Sequence, residues 1–175
     1  MSFPIVLSNG PPANGKAPNG RNGLAEVAAA GVTHIRTGRG DWSSAQLSSQ
    51  IAAERATLDA LHAHGLRAWC WLGDLPNLPE GATSPQQQLL ARVADGLGGH
   101  EALGFYKGID EPRNPFRGAN WIRPAGMIRA YQQLHKIDAA HPVVVIQAPI
   151  GTVAQLSPYR PTFDITGADV YPVSY

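Results

Sequence analysis

Short apolar runs alternate with longer helical patterns along this chain. The runs are short enough for buried strands and fall at 5–7, 32–36, 67–72, 103–109, 142–147 and 163–170. Between them, apolar residues recur mostly at intervals of three and four, which predicts helices at about 22–30, 44–64, 85–97, from 124 onward and at 152–156. The pattern therefore predicts strands and helices in strict alternation.

Glycine and proline mark several of the predicted helix ends. Gly31 and Gly65 each follow a helical pattern, in the position where glycine commonly ends a helix. Ser84 and Pro85 are the residue types favoured at an N-cap and at the first helical position, and Pro124 opens the next helix.

Alternating strands and helices predict βαβ units with a parallel sheet, either doubly wound or closed into a barrel. A doubly wound nucleotide-binding sheet needs a glycine-rich phosphate turn after its first strand, whereas Pro11 and Pro12 follow here. A barrel instead collects functional residues at the carboxyl ends of its strands. Polar or aromatic residues lie at or soon after the predicted strand ends: Asn9, Arg36, Trp71, Asp74, Asp110, Glu111, Gln147, Asp169 and Tyr171. We therefore predict an α/β fold of the parallel (β/α)₈ TIM-barrel type, as a single domain over 1–175 in which about six βα units are present.

Composition narrows the classes of function. The chain is 43% hydrophobic and carries a net charge of +1, with 14 basic against 13 acidic residues. This balance predicts neither nucleic-acid binding nor attachment to a membrane surface. No apolar run approaches the roughly 18 residues of a membrane span. The N-terminus lacks the charged and apolar pattern of a signal peptide, so a cytoplasmic location is the default expectation. Cys70 is the single cysteine, so no internal disulfide can form.

The most specific stretch runs from Gly104 to Pro112, where an apolar strand leads directly into Asp110 and Glu111. Neighbouring residues of a strand point to opposite sides, so these two carboxylates are not expected to act as a matched pair on one atom. Pro112 is expected to restrict Glu111 to an extended backbone conformation.

This stretch resembles the fourth-strand motif of the clan A glycoside hydrolases and related glycosidase-like barrels. In that group a general acid/base Glu ends strand four, commonly after Asn or Asp and before Pro. The segment 34–36 resembles the second strand, whose terminal Arg typically braces the nucleophile, and 163–172 resembles a sixth strand that ends in a Tyr facing the site. The resemblance covers most of the chain as architecture and about a dozen residues as motif.

The resemblance implies hydrolysis of O-glycosidic bonds with Glu111 as the general acid/base and Asp110 beside it. Such chemistry uses a second carboxylate, which the resembled clan supplies from strand seven. We therefore expect the nucleophile beyond Tyr175 and treat the chain as a fragment; Asp74 and Asp169 are the alternative acids. The predicted substrate-binding residues are Arg36, Trp71, Asp74, Trp121, Gln147, Asp169 and Tyr171. The predicted ligand is a carbohydrate.

Two further functions stay open. A barrel that kept the fold and lost the chemistry would be a non-catalytic carbohydrate-binding or vestigial protein. Lys107, inside an apolar strand, could instead pair with a barrel carboxylate, reach solvent, or form the Schiff base of a lyase or aldolase. His62 and His64 lie two residues apart on a predicted helix and do not face together, and the other four histidines lack Cys or carboxylate partners at ligand spacing. Neither a metal nor another cofactor is therefore expected. Open edges on the first and sixth strands predict a longer natural chain or self-association.

Overall fold

The computed structural model describes residues 4–81 and 83–170. Six strands form one sheet in sequential order, and every neighbouring pair is parallel. The strands are β1 (Val6–Leu7), β2 (His34–Gly38), β3 (Arg67–Trp71), β4 (Leu103–Lys107), β5 (Val143–Gln147) and β6 (Ile165–Ala168). The sheet curls into a half-barrel, which confirms the predicted α/β fold of TIM-barrel type.

Helices connect the strands as the periodicity predicted. They are α1 (Gly23–Ala29), α2 (Leu47–His62), α3 (Pro85–Leu97), α4 (Pro124–Ile137) and α5 (Val153–Leu156), with 3₁₀ segments at Pro115–Asn120 and Ser157–Thr162. None of the helices in the described ranges is long and apolar enough to cross a membrane.

The predicted helix ends have the expected chemistry. The Ser84 side chain accepts from the Gln87 backbone N–H, and the Gln87 side chain accepts from the Ser84 N–H at 2.6 Å. This reciprocal capping box satisfies two N–H groups that the first turn of α3 leaves without partners. Gly31 and Gly65 follow α1 and α2 with φ of 91° and 69°, a backbone conformation that glycine adopts without a Cβ clash.

Alternation along the strands separates a helix-facing layer from a concave face. Ala68 and Cys70 on β3 and Tyr106 on β4 belong to the apolar cluster beneath the helices, whereas Trp69 and Trp71 lie out of phase with them. The cluster is completed by leucines of α2 and α3 that are almost fully buried: Leu47, Leu58, Leu61, Leu90 and Leu97. Each such side chain contributes about 1.5–3 kcal/mol of transfer free energy, so this layer holds the helices against the sheet.

The two outer strands are more exposed than the centre of the sheet. Val6 on β1 is 38% exposed and Ile165 on β6 is 44% exposed. Within the described ranges each of these strands pairs on one side only. Unpaired strand edges present free N–H and C=O groups, so self-association through these edges stays a prediction.

Candidate functional site

Lys107 ends β4 inside an aromatic pocket on the concave face. Its side chain is almost fully buried, and its Nζ lies 5.6 Å from the Trp69 ring centroid and 5.5 Å from that of Trp71. It donates to Asp110 Oδ1 at 2.6 Å. We call Lys107, Asp110, Trp69 and Trp71 the Lys107 cluster. The pairing with a carboxylate is one of the alternatives that the sequence left open for this lysine.

Burial and pairing act on the Lys107 ammonium in opposite directions. Desolvation lowers its pKa below the usual value, and the Asp110 carboxylate offsets part of that shift. Arg36 lowers the pKa further and Asp169 raises it, so both charges lie near the same ammonium. Four of the predicted site residues thus come together around Lys107: Arg36, Trp71, Asp110 and Asp169.

Glu111 follows this cluster in a left-handed backbone conformation with φ of 42°. The expectation of an extended Glu111 was therefore wrong. Tertiary hydrogen bonds override the local preference: the Glu111 N–H donates to the Ile146 carbonyl of β5 at 2.8 Å. The Glu111 carbonyl accepts from the Asn114 N–H at 3.0 Å and from Arg117 Nε at 3.3 Å. A non-glycine residue in this region costs about 1–3 kcal/mol and is enriched at functional sites.

The Glu111 carboxylate is oriented by its own loop. Asn114 Nδ2 donates to Glu111 Oε2, and the side chain is half-buried. Behind it, the Pro112 carbonyl accepts from the Ile122 N–H at 2.8 Å, which closes the loop onto the segment before α4. The carboxylate is therefore held in a defined direction at the carboxyl end of β4, where barrel enzymes place reacting groups.

Arg117 joins the loops around this carboxylate. Its Nη2 donates to the Asp110 carbonyl at 2.9 Å and lies 3.5 Å from Asp74 Oδ1. Asp74 itself is exposed, near the start of the loop after β3. Sequence reasoning missed Asn114 and Arg117, because they lie in an irregular loop whose conformation no periodicity predicts.

Arg36 covers the other side of the Lys107 cluster. Its guanidinium lies 5.4 Å from the Trp71 ring centroid and donates to Asn9 Oδ1 at 3.0 Å. The Trp71 indole N–H is buried and has no hydrogen-bond partner among the described residues. An unmet buried donor typically costs about 1–3 kcal/mol, and substrate-binding sites are one place where such donors persist.

The remaining predicted residues lie on the β5 and β6 side. Gln147 is buried and shares its strand phase with Val143 and Val145, which pack in the apolar clusters under the helices. Asp169 is half-buried, and its N–H donates to the Gln147 carbonyl at 3.0 Å. Tyr171 lies outside the described residues.

Trp121 forms a second aromatic centre in the loop before α4. Arg113 and Arg123 place their guanidinium carbons 5.0 Å and 5.5 Å from its ring centroid. We call these three residues the Trp121 cluster. Arg113 and Trp121 line a pocket of about 230 Å³ together with Asn114, Gly118, Ile150, Gly151 and Gln155. Asn114 thus connects this pocket to the Glu111 carboxylate.

A larger pocket of about 560 Å³ lies at the opposite end of the strands. Its lining includes Arg67, where β3 begins, and His100 and Glu101, which precede β4. That end of a barrel generally serves stability, so we place the candidate site at the carboxyl ends despite the smaller pocket there. No group of three or more His, Cys, Asp or Glu side chains that could hold a metal ion occurs in 4–81 or 83–170.

No family model and no curated protein matches the chain. Solved structures do resemble it. The β-galactosidase of the psychrophilic Marinomonas ef1 matches with a TM-score of 0.62 at 12% identity, over 85% of this chain and 38% of that one. The β-mannanase of the blue mussel Mytilus edulis matches with a TM-score of 0.60 at 12% identity, over 94% and 69% of the two chains.

A glycosyl hydrolase family 2 member from Bacteroides cellulosilyticus DSM 14838 has a TM-score of 0.54 at 15% identity, over 94% of this chain. The chain spans only 21% of the length of that protein. At such identities the likeness shows the fold alone: the structural neighbours are glycoside hydrolases, and they share the parallel barrel architecture.

Proposed function

We propose that this chain carries the acid/base half of a glycoside hydrolase site of the clan A type, with Glu111 as the general acid/base. The observation that supports this most is the placement of Glu111. Its carboxylate follows β4 on the carboxyl side of the half-barrel, in a strained backbone conformation that β5 and Arg117 hold in place. Strain that several contacts maintain at a half-buried carboxylate is typical of a functional position.

In this role Glu111 would donate a proton to the glycosidic oxygen as the bond to the sugar breaks. A positioned acid of this kind contributes about 10²–10⁴-fold to the rate. Asn114 would keep one carboxylate oxygen fixed, so that the other faces the leaving group. Asp110 would act differently, because its carboxylate is already bonded to Lys107 and its carbonyl to Arg117. We assign it to positioning the loop and the Lys107 cluster.

Substrate would lie across the concave face between the two tryptophan clusters. Trp71 and Trp121 offer apolar ring edges to a sugar, because cations already lie over both rings. Arg36, Asp74 and Asp169 offer polar groups for hydroxyls. Tyr171 completes the proposed set, whereas Gln147 shares its strand phase with the helix-facing Val143 and Val145 and is left out of it.

The second carboxylate is expected in sequence that follows Tyr175. A separation of about 5–5.5 Å from Glu111 would give retention of configuration, and roughly 6.5–9.5 Å would give inversion. The intact mass of the polypeptide from its natural host tests this part: a mass above 18.6 kDa is required, and a mass equal to it contradicts the assignment.

A non-catalytic carbohydrate-binding role is the second candidate. The pairing of Asp110 with Lys107 favours this role. It leaves Glu111 as the one carboxylate of the Asp-Glu pair without a cation partner among the described residues, whereas hydrolysis uses two carboxylates. A binding protein would use the same aromatic and polar groups without turnover.

Turnover of aryl glycosides by the natural protein separates the two candidates. We expect Glu111→Gln to lower kcat by about 10²–10⁴-fold and to leave sugar binding in place, because the amide keeps the shape and loses the transferable proton. Glu80→Gln is the matched control, since Glu80 is exposed and far along the chain from the β4 loop. Equal activity of the parent and Glu111→Gln on every glycoside that the parent hydrolyses would exclude Glu111 as the acid/base. Binding without any turnover by the parent would favour the second candidate.

A further inference from the structure

The Trp121 cluster holds two positive charges that no carboxylate of the described residues neutralises. Arg113 and Arg123 both lie against the Trp121 ring, at 5.0 Å and 5.5 Å. Neither forms an ion pair with a carboxylate within 4–81 and 83–170, and both lie against one ring. The cluster is therefore a local concentration of positive charge.

Neither guanidinium donates a hydrogen bond within the described ranges, so its N–H donors are available to a ligand. Stacking on an indole uses the flat face of a guanidinium, and its N–H donors point outward in the plane of the group. Those donors form a rigid fork that matches the two oxygens of a carboxylate or the oxygens of a sulfate. Two like charges at one ring also repel each other, so a bound anion relieves a cost that the free site carries.

The pocket beside the cluster adjoins the proposed acid/base. Asn114 lines this pocket and also donates to the Glu111 carboxylate, so the two features share one side chain. The pocket volume of about 230 Å³ is below the roughly 300–1,000 Å³ typical of pockets for drug-sized ligands. It therefore suits one sugar unit or its substituent.

We propose that the Trp121 cluster is a subsite for an anionic substituent, so that the carbohydrate bound at this site is an acidic glycan carrying a carboxylate or a sulfate group. The identity of the ligand as a glycan rests on the proposed function. Arg113 and Arg123 supply the selectivity, and Trp121 holds both guanidiniums in place. A neutral sugar in the same position leaves both charges without a counter-charge.

Binding of matched glycosides to the natural protein tests this subsite. The probes are the methyl glycosides of glucuronic and galacturonic acid, each beside its neutral hexose parent, and the 6-sulfates of the same hexosides. Binding is followed by calorimetry and by tryptophan fluorescence. We expect at least one acidic glycoside to bind about 10-fold or more tightly than its neutral parent, the scale of one charge-assisted hydrogen bond. The uronide and sulfate arms identify which anion the cluster prefers.

Substitutions of the two arginines show whether these side chains cause the preference for acidic glycosides. Arg113→Gln and Arg123→Gln should each reduce the acidic preference by about threefold or more, and the pair should abolish it. Arg92→Gln, on the exposed face of α3, is the matched control and should leave it unchanged. The preference should also weaken with added salt, because an exposed ionic contact is screened.

Two results would overturn the subsite: equal affinity for acidic and neutral glycosides, or an acidic preference that survives the double variant in a folded protein. Hydrolysis is scored separately on the aryl forms of the same sugars. Acidic glycosides that bind selectively and are not cleaved would uphold the subsite and reject the hydrolase assignment. Cleavage of acidic and neutral glycosides without a preference for the acidic ones would uphold the hydrolase assignment and reject the subsite.

Discussion

The Lys107 cluster and the Trp121 cluster combine the same residue types, tryptophan and cation, and differ in burial and pairing. Lys107 is 2% exposed and bonded to Asp110. Arg113 is half-buried, Arg123 is exposed, and both lack a carboxylate among the described residues. The first cluster has the properties of a framework that supports the site, and the second those of a surface that meets a ligand. The two clusters therefore differ in whether the cation is paired with a carboxylate, and not in the residue types that form them.

The largest effect should follow truncation of Lys107. We expect Lys107→Ala to lower the free energy of unfolding by about 3 kcal/mol, because it opens a cavity between two indoles and removes the partner of Asp110. Asp110 is 43% exposed, so water solvates its carboxylate once Lys107 is removed. The loss of stability therefore stays near the lower end of the range for breaking a buried ion pair. Urea denaturation measures the change.

Lys107→Met is the control for this experiment. Methionine fills much of the same volume without a buried charge, so its cost should be less than half that of alanine. If alanine costs no more than methionine, the space between Trp69 and Trp71 does not depend on this side chain and the framework role is wrong.

Replacing Glu111 with glycine, which removes the carboxylate together with Cβ, should stabilise the protein. Glycine adopts positive φ without a steric penalty, so Glu111→Gly should raise the free energy of unfolding by about 0.5–1 kcal/mol while abolishing turnover. Thermal and urea denaturation beside a turnover assay provide the check. A variant that is less stable than the parent by a similar amount would show that the backbone is not strained there.

The Trp121 cluster should contribute little to stability. Arg123→Gln changes an exposed side chain without a carboxylate partner in the described ranges, so its effect should stay within about 0.5 kcal/mol. The same denaturation assay applies. If Arg123→Gln lowered the free energy of unfolding as much as Lys107→Ala, the Trp121 cluster would be a second structural framework. The contrast between the two clusters would then be wrong.

The smallest effect concerns pH. Burial lowers the pKa of Lys107 below its ordinary value of 10.5, so the unfolded chain binds more protons than the folded chain between the lowered pKa and 10.5. The Lys107 contribution to stability therefore rises with pH across this window and is lost as pH falls through the lowered pKa. Relative to Lys107→Met, the parent should gain stability as pH approaches 10.5. Denaturation curves of the parent and Lys107→Met at several pH values measure this difference. A variant that gains stability relative to the parent as pH rises would contradict the prediction.

Much of the fold could be predicted from the sequence, because its signals are local. Apolar periodicity located the strands and helices to within a few residues, and Ser84 with Pro85 fixed the start of α3. The barrel type followed from the alternation of elements and from prolines where a phosphate turn would need N–H donors. The strand ends were less accurate: β4 ends at Lys107, before Ile109, so Asp110 and Glu111 lie in the following turn.

The site was harder to predict because it depends on contacts between distant residues. The left-handed Glu111 results from a hydrogen bond to Ile146, which outweighs the preference imposed by Pro112. The Trp121 cluster brings together positions 113, 121 and 123 through an irregular loop, and Asn114 and Arg117 reach Glu111 and Asp110 through the same loop. No periodic pattern encodes such a loop.

The most direct test of Glu111 as the acid compares leaving groups. A general acid protonates the departing oxygen, so its loss matters most for alkyl and weakly acidic phenol leaving groups and least for strongly acidic nitrophenols, which depart without a proton. We expect Glu111→Gln to lose kcat/KM steeply as the leaving group becomes more basic, while Glu80→Gln follows the parent. An equal loss for every leaving group in the folded Glu111→Gln variant would contradict the account and assign Glu111 to structure or binding.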